Sequence, residues 1–144
     1  MAKLQAEVRG CATEGKEMVT VDDLGSMSCL KVVMREAMRL HLSGPLMIPH
    51  LSTVDCDVEG HTVPSGMRVI INVWAIGRDV VSWKDTEEFV PERFMEEAMD
   101  AACDLMRNDF CFLPFRCGRR MCPGVSFAAI TFEIILANLI YHFD

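Results

Sequence analysis

The ten residues 115–124, Phe-Arg-Cys-Gly-Arg-Arg-Met-Cys-Pro-Gly, run straight into an apolar stretch that continues to Phe143. That junction constrains the chain more than any other feature. Gly118 marks irregular chain, Pro123 suits the first turn of a helix, and residues 125–143 are apolar enough to form it. Cys122 then falls near the helix N-cap, where the positive end of the macrodipole and unpaired backbone N–H groups favour thiolate over thiol. Arg119 and Arg120 act in the same direction. Such a loop offers one soft anionic ligand with cations beside it, which suits a metal better than a disulfide. A cysteine taken at random from the seven in this chain would more often be an ordinary buried one. The whole pattern F-x-x-G-x-R-x-C-x-G decides against that, because chance yields it in roughly one chain per ten thousand of this composition.

Upstream, Met27, Leu30, Val33, Met34, Ala37 and Met38 recur at helical spacing, so a helix starts at Ser26 or Ser28 and runs to about His41. Thr20 to Asp23 forms a capping box for one turn before it, and residues 1–15 form the tail of another helix. Glu36 and Arg39 share one face and can pair, although such a pair alone is usually a surface ion pair worth a few tenths of a kcal/mol. Residues 44–49 form a proline-punctuated loop. The runs 54–63, turning at Gly60, and 68–73 read as two or three antiparallel strands. A short helix and turn follows at 74–79, and residues 95–109 read as a loose connection rich in methionine and acids. The class is α+β, mainly α. Residues 125–143 have membrane length, but Glu133, Asn138 and His142 interrupt them and favour a buried core helix.

The 51% hydrophobic content argues against disorder, and the length allows one domain over residues 1–144. A net charge of −7 disfavours nucleic acid as a partner. An odd number of cysteines without a secretory signal points to a reducing compartment and free thiols.

At residues 115–124 the chain resembles the heme-binding loop of the cytochrome P450 superfamily, the heme-thiolate monooxygenases. Phe115, Gly118, Arg120, Cys122 and Gly124 match that signature, and Arg119 and Pro123 match its plant-type variant. Met-Arg-Glu-Ala-Met-Arg-Leu-His around Glu36 and Arg39 resembles the family's E-x-x-R helix, and Pro91-Glu92-Arg93-Phe94 resembles its P-E-R-F segment. The resemblance implies the C-terminal part of that fold: the E-x-x-R helix, a small antiparallel sheet, the cysteine heme loop and a long buried C-terminal helix. Residues 1–144 would then be a partial domain, without the distal helix and the N-terminal membrane anchor.

By the same resemblance the cofactor is heme b, its iron ligated by the Cys122 thiolate. Phe115 would shield the sulfur, Gly118 and Gly124 would admit the backbone closely, and Arg120 would pair with a propionate. Glu36, Arg39 and Arg93 would form a buried charge network. The implied reaction inserts one atom of O2 into a small organic substrate, with electrons from NADPH through NADPH–cytochrome P450 reductase. Lys31, Arg35 and Arg119 would contribute to the docking of that reductase. The full-length parent would sit on the cytosolic face of the endoplasmic reticulum membrane, held by the N-terminal anchor. No catalytic acid–base residue is expected within these 144 residues, which alone would hold heme poorly and turn over nothing.

Five positions depart from the family. Arg116 replaces a glycine, and if that position needs a glycine-only backbone angle it costs about 1 kcal/mol or more. Leu42, Val80 and Thr86 replace prolines, and His50 stands where many relatives have arginine. Arg116, Leu42, Val80 and Thr86 support an alternative, a heme-free, non-catalytic remnant serving as a structural or interaction module. A zinc module built from Cys103, Cys111, Cys117 and Cys122 lacks the short paired spacings such sites use.

Overall fold

A computed structural model describes residues 1–12, 17–95 and 110–144. The connection expected over residues 95–109 lies, beyond Met95, outside the described residues, and so does Cys103. Among the described residues there are four α-helices: α1 (Ala2–Cys11), α2 (Ser28–Leu40), α3 (Val73–Ile76) and α4 (Val125–His142). Four short strands lie between α2 and α3: β1 (His50–Leu51), β2 (Cys56–Val58), β3 (His61–Val63) and β4 (Arg68–Val69). Single 3-10 turns occupy Val21–Ser26, Pro91–Phe94 and Gly118–Arg120.

Local chemistry accounts for the element ends. The Thr20 side chain and Asp23 form the expected capping box, with Thr20 N–H donating to Asp23 Oδ2 at 2.8 Å. Glu59 and Gly60 both take positive φ, 50° and 80°, which is the two-residue hairpin geometry that matches strand twist. They join β2 to β3 in the register Cys56↔Val63, Asp57↔Thr62 and Val58↔His61. The strand expected over 68–73 is shorter. It ends at Val69, paired through β4 to β1 as His50↔Val69 and Leu51↔Arg68. Asn72 then caps α3, accepting from Ala75 N–H at 3.1 Å, and a capped helix start cannot also extend a strand. The strands therefore make two separate antiparallel ladders of two strands each.

The core has two parts, and α2 joins both. On one side Leu4 and Val8 of α1, Leu24, Met27, Leu30 of α2, and Ala137 and Ile140 of α4 pack together. Full burial of Met27 or Leu30 contributes roughly 1.5–3 kcal/mol. Asn138 fastens α4 to this cluster, accepting from Val19 N–H at 2.9 Å and donating to Val19 O at 3.1 Å. On the other side Val32 and Met34 of α2 meet Phe94, Phe112 and Val125, flanked by Trp83 and Phe115. Trp83, Phe94 and Phe112 form a ring triad with centroids 5.2–6.4 Å apart, in the tilted and edge-on arrangements that aromatic quadrupoles favour.

The C-terminal helix is buried along one stripe only, through Val125, Glu133, Ala137 and Ile140. Phe127, Ile130, Ile135 and Leu139 on its other faces are exposed. Its N-cap is Gly124, so Cys122 lies two residues before the cap and Pro123 belongs to the preceding turn, not to the helix.

Candidate functional site

Glu36 and Arg39 lie one turn apart on α2, both with fully buried side chains. Arg39 Nε donates to Glu36 Oε2 and Arg39 Nη2 to Oε1, each at 2.9 Å, a two-pronged pairing that fixes both planes. Arg39 spends its remaining donors on three backbone carbonyls: Gly77 O at 2.6 Å, Thr86 O at 2.8 Å and Glu88 O at 3.0 Å. Arg93 Nε reaches Glu36 Oε1 at 3.2 Å, and Val90 N–H donates to the same oxygen at 2.9 Å. Arg93 also donates to Lys84 O at 2.7 Å and Asp85 O at 3.3 Å. The segment 77–93 is thus strapped across α2 by two guanidinium groups centred on one carboxylate.

Burial works to raise the Glu36 pKa, but the hydrogen bonds from Arg39 and Val90 and the charges of Arg39 and Arg93 outweigh it and hold the carboxyl below its ordinary range. Gly77 is required by this closeness, since a Cβ there would lie 2.8 Å from Arg39 O. Glu36, Arg39 and Arg93, singled out from the sequence, meet in one knot. The backbone partners at Gly77, Val90, Thr86 and Glu88 were not foreseen, because a main-chain partner carries no residue signature. Thr86, one of the proline replacements, takes part through its carbonyl.

Arg35 is not available for docking another protein. It is 3% exposed, with its guanidinium over the rings of Phe94 at 5.3 Å and Phe112 at 5.8 Å. Its place on the inward stripe of α2, one residue before Glu36, explains this. Lys31 is half-buried and Arg119 is exposed.

Residues 115–124 fold into a loop closed by its own backbone, with Cys122 N–H donating to Phe115 O at 3.0 Å. The 3-10 turn Gly118–Arg120 forms its tip. Phe115 is half-buried and packs against the Phe94 and Phe112 cluster, which ties the loop to α2 and the charge knot. Cys122 is a half-buried free thiol. A Cβ at Gly124 would come within 3.8 Å of its sulfur, so glycine there leaves that side of the sulfur clear.

Arg116 adopts φ 69°, the left-handed region, as expected if its position is built for glycine. For a residue with a Cβ this costs roughly 1–2 kcal/mol. Its Nη2 donates to Ile48 O at 3.2 Å. Two clefts open beside the loop. One, of about 570 Å³, is lined by Ile48, Pro49, His50, Leu51, Arg116 and Arg120 among others. The other, of about 340 Å³, lies between the end of α2 and the start of α4 and includes Met38, His41, Phe115, Ala128 and Phe132. Among the described residues no cluster of His, Cys, Asp and Glu is arranged to hold a metal, so Cys111, Cys117 and Cys122 do not form the zinc alternative.

The loop thus carries a soft sulfur donor at Cys122 and stands beside two clefts, one walled by apolar side chains and one lined by Arg116 and Arg120. The cytochrome P450 family profile matches residues 1–144, and the chain belongs to that family. It is 52% identical over 145 residues to cytochrome P450 71C3 of Zea mays and 51% identical over 144 residues to 3-hydroxyindolin-2-one monooxygenase of the same plant. Each match covers 100% of this chain and 27% of the relative. A zebra fish cytochrome P450 structure with progesterone superposes with a TM-score of 0.83 at 33% identity, over 99% of this chain and 31% of that one. The chain spans about a quarter of the length of these curated relatives. The family implies a heme cofactor, and the residues in and beside the loop fit one: a thiol for the metal, apolar side chains for the macrocycle and guanidinium groups for its carboxylates.

Proposed function

We propose that this chain supplies the thiolate side of a heme b site in a monooxygenase, with Cys122 as the iron ligand. One observation carries the reading: a free, half-buried cysteine stands in a backbone-closed loop whose flanks hold an aromatic ring on one side and arginines on the other. When bound, heme with a cysteine thiolate ligand supplies oxygen activation, because the sulfur donates electron density that favours O–O cleavage.

The chain's own residues do the holding. The Cys122–Phe115 backbone hydrogen bond holds the cysteine in place in the loop, and with heme bound Phe115 would shield the sulfur. Gly124 leaves its flank clear, Gly118 lets the loop tip turn at φ 72°, and Arg120 pairs with a propionate. Glu36, Arg39 and Arg93 hold α2 and the 77–93 segment rigid, and the Phe94–Phe112–Val125 cluster carries that rigidity to the loop. In the whole enzyme the reaction inserts one atom of O2 into a small organic substrate. NADPH–cytochrome P450 reductase delivers the electrons at the cytosolic face of the endoplasmic reticulum, with Lys31 and Arg119 at its docking surface. No residue of this chain is assigned acid–base work.

Heme titration of the 144-residue chain, followed by absorbance, is expected to show weak uptake with a thiolate-type spectrum and no oxidation of added substrates. Cys122→Ala is expected to abolish that spectrum while far-UV circular dichroism stays unchanged. An unchanged heme spectrum in Cys122→Ala would remove the ligand assignment, whereas no heme uptake by the parent chain would favour the heme-free reading.

A further inference from the structure

We infer that Arg116 is a carboxylate-binding residue of the cofactor cleft, a second permanent cation beside Arg120 that this chain adds in place of the glycine expected from the family resemblance. The inference rests on the heme reading above, and its ligand group is a heme propionate.

Three observations converge on it. The first is backbone conformation. Arg116 holds φ 69°, which glycine adopts freely and arginine does not, so the side chain occupies this position against a local preference. The second is reach. Arg116 Nη2 crosses to Ile48 O at 3.2 Å, linking the cysteine loop to the chain entering β1 across 68 positions of sequence. That contact uses one of the guanidinium's five donors and leaves a planar fork for a carboxylate. The third is composition. Among the described residues the cleft it lines carries Arg116, Arg120 and His50 and no carboxylate, in a chain whose net charge is −7. Ile48, Pro49 and Leu51 supply its apolar wall. Such a lining selects an acid group on an apolar body, and a bare inorganic anion would leave that wall unused.

His50 lines the same cleft from β1, held by the ladder to Val69, and Arg116 adds a permanent charge there.

The test compares heme b with its dimethyl ester, whose propionates carry no charge, as ligands of the full chain and of Arg116→Gly and Arg116→Lys. Glycine suits the positive φ, so the first variant is expected to melt no lower than the parent by circular dichroism. Arg116→Gly should bind heme b about tenfold more weakly and the ester within about twofold of the parent, as loss of one charge-assisted contact requires. Arg116→Lys should fall between parent and Arg116→Gly for heme b. Equal weakening for both ligands, or no weakening, overturns the proposal and leaves Arg116 a tether for Ile48. If the parent chain takes up neither ligand, the heme reading itself falls and the proposal falls with it.

Discussion

Glu36 on α2 and Cys122 in the loop before α4 are treated in opposite ways. Glu36 is fully buried, and both its oxygens are bonded within the chain by Arg39, Arg93 and Val90. Cys122 is half-buried, and beside it stand a strained arginine, open clefts and a helix with an apolar outer face. One region is closed on itself, and the other is shaped for something to be added. The difference separates stability from function: damage to the knot should unfold the chain, and damage to the loop should spare the fold and cost only the ligand.

The severest break in this contrast is Glu36→Gln. It keeps the shape of the side chain but leaves Arg39 and Arg93 without their counter-charge, and removing one partner of a buried ionic network costs roughly 3–5 kcal/mol. Urea unfolding followed by far-UV circular dichroism should show the loss, or a chain that no longer folds at all. A cost below about 1 kcal/mol would mean that the backbone partners of Arg39 suffice without the carboxylate, and that the knot is not the scaffold of the loop.

Acid titration sharpens the same contrast with a smaller effect. The Glu36 carboxyl is held below its ordinary range in the fold, so its stabilisation is complete above the unfolded value of about 4.3 and is lost as pH falls through the lower folded value. Glu133 on α4 runs the other way. Burial raises its pKa, with Lys31 opposing, so the folded state holds a proton that the unfolded chain releases, and stability declines as pH rises through the ordinary carboxylate range towards the raised value. Glu133→Gln should remove that decline and leave the acid loss below pH ~4 intact. An acid limb that vanished with Glu133→Gln would assign it to the wrong carboxyl.

The two regions were also unequally legible in sequence. The knot's side chains could be found through the family resemblance, because spacing alone offered Glu36 and Arg39 only as an ordinary surface pair and did not connect Arg93 to them. The capping box at Thr20 and the turn at Gly60 were equally visible, since each depends on a local residue preference. Arg35 was not: its neighbours in sequence place it on a charged helix, and only the folded triad shows its guanidinium stacked on Phe94 and Phe112. The buried stripe of α4 was not visible either. A helix apolar on nearly every face gives periodicity no contrast, so Ala137 and Ile140 could not be told from Leu139 until α1 was seen against them. Arg116 stood out as a departure, but its reach to Ile48 joins positions that no local pattern relates.

The smallest expected effect falls on that outer stripe. Phe127 is 78% exposed one turn from Cys122, where a large ring makes little contact with the rest of the chain. Phe127→Ser therefore removes almost no buried area and should change stability by less than about 0.5 kcal/mol in urea titration, while reducing self-association in concentrated solution. The substitution also weighs the two halves of the contrast on one scale. If Phe127→Ser cost more than about 1 kcal/mol, or cost an amount that grew with protein concentration, the outer stripe would be covered by a second copy. The region around Cys122 would then be closed by association, and its openness would not be available to a cofactor.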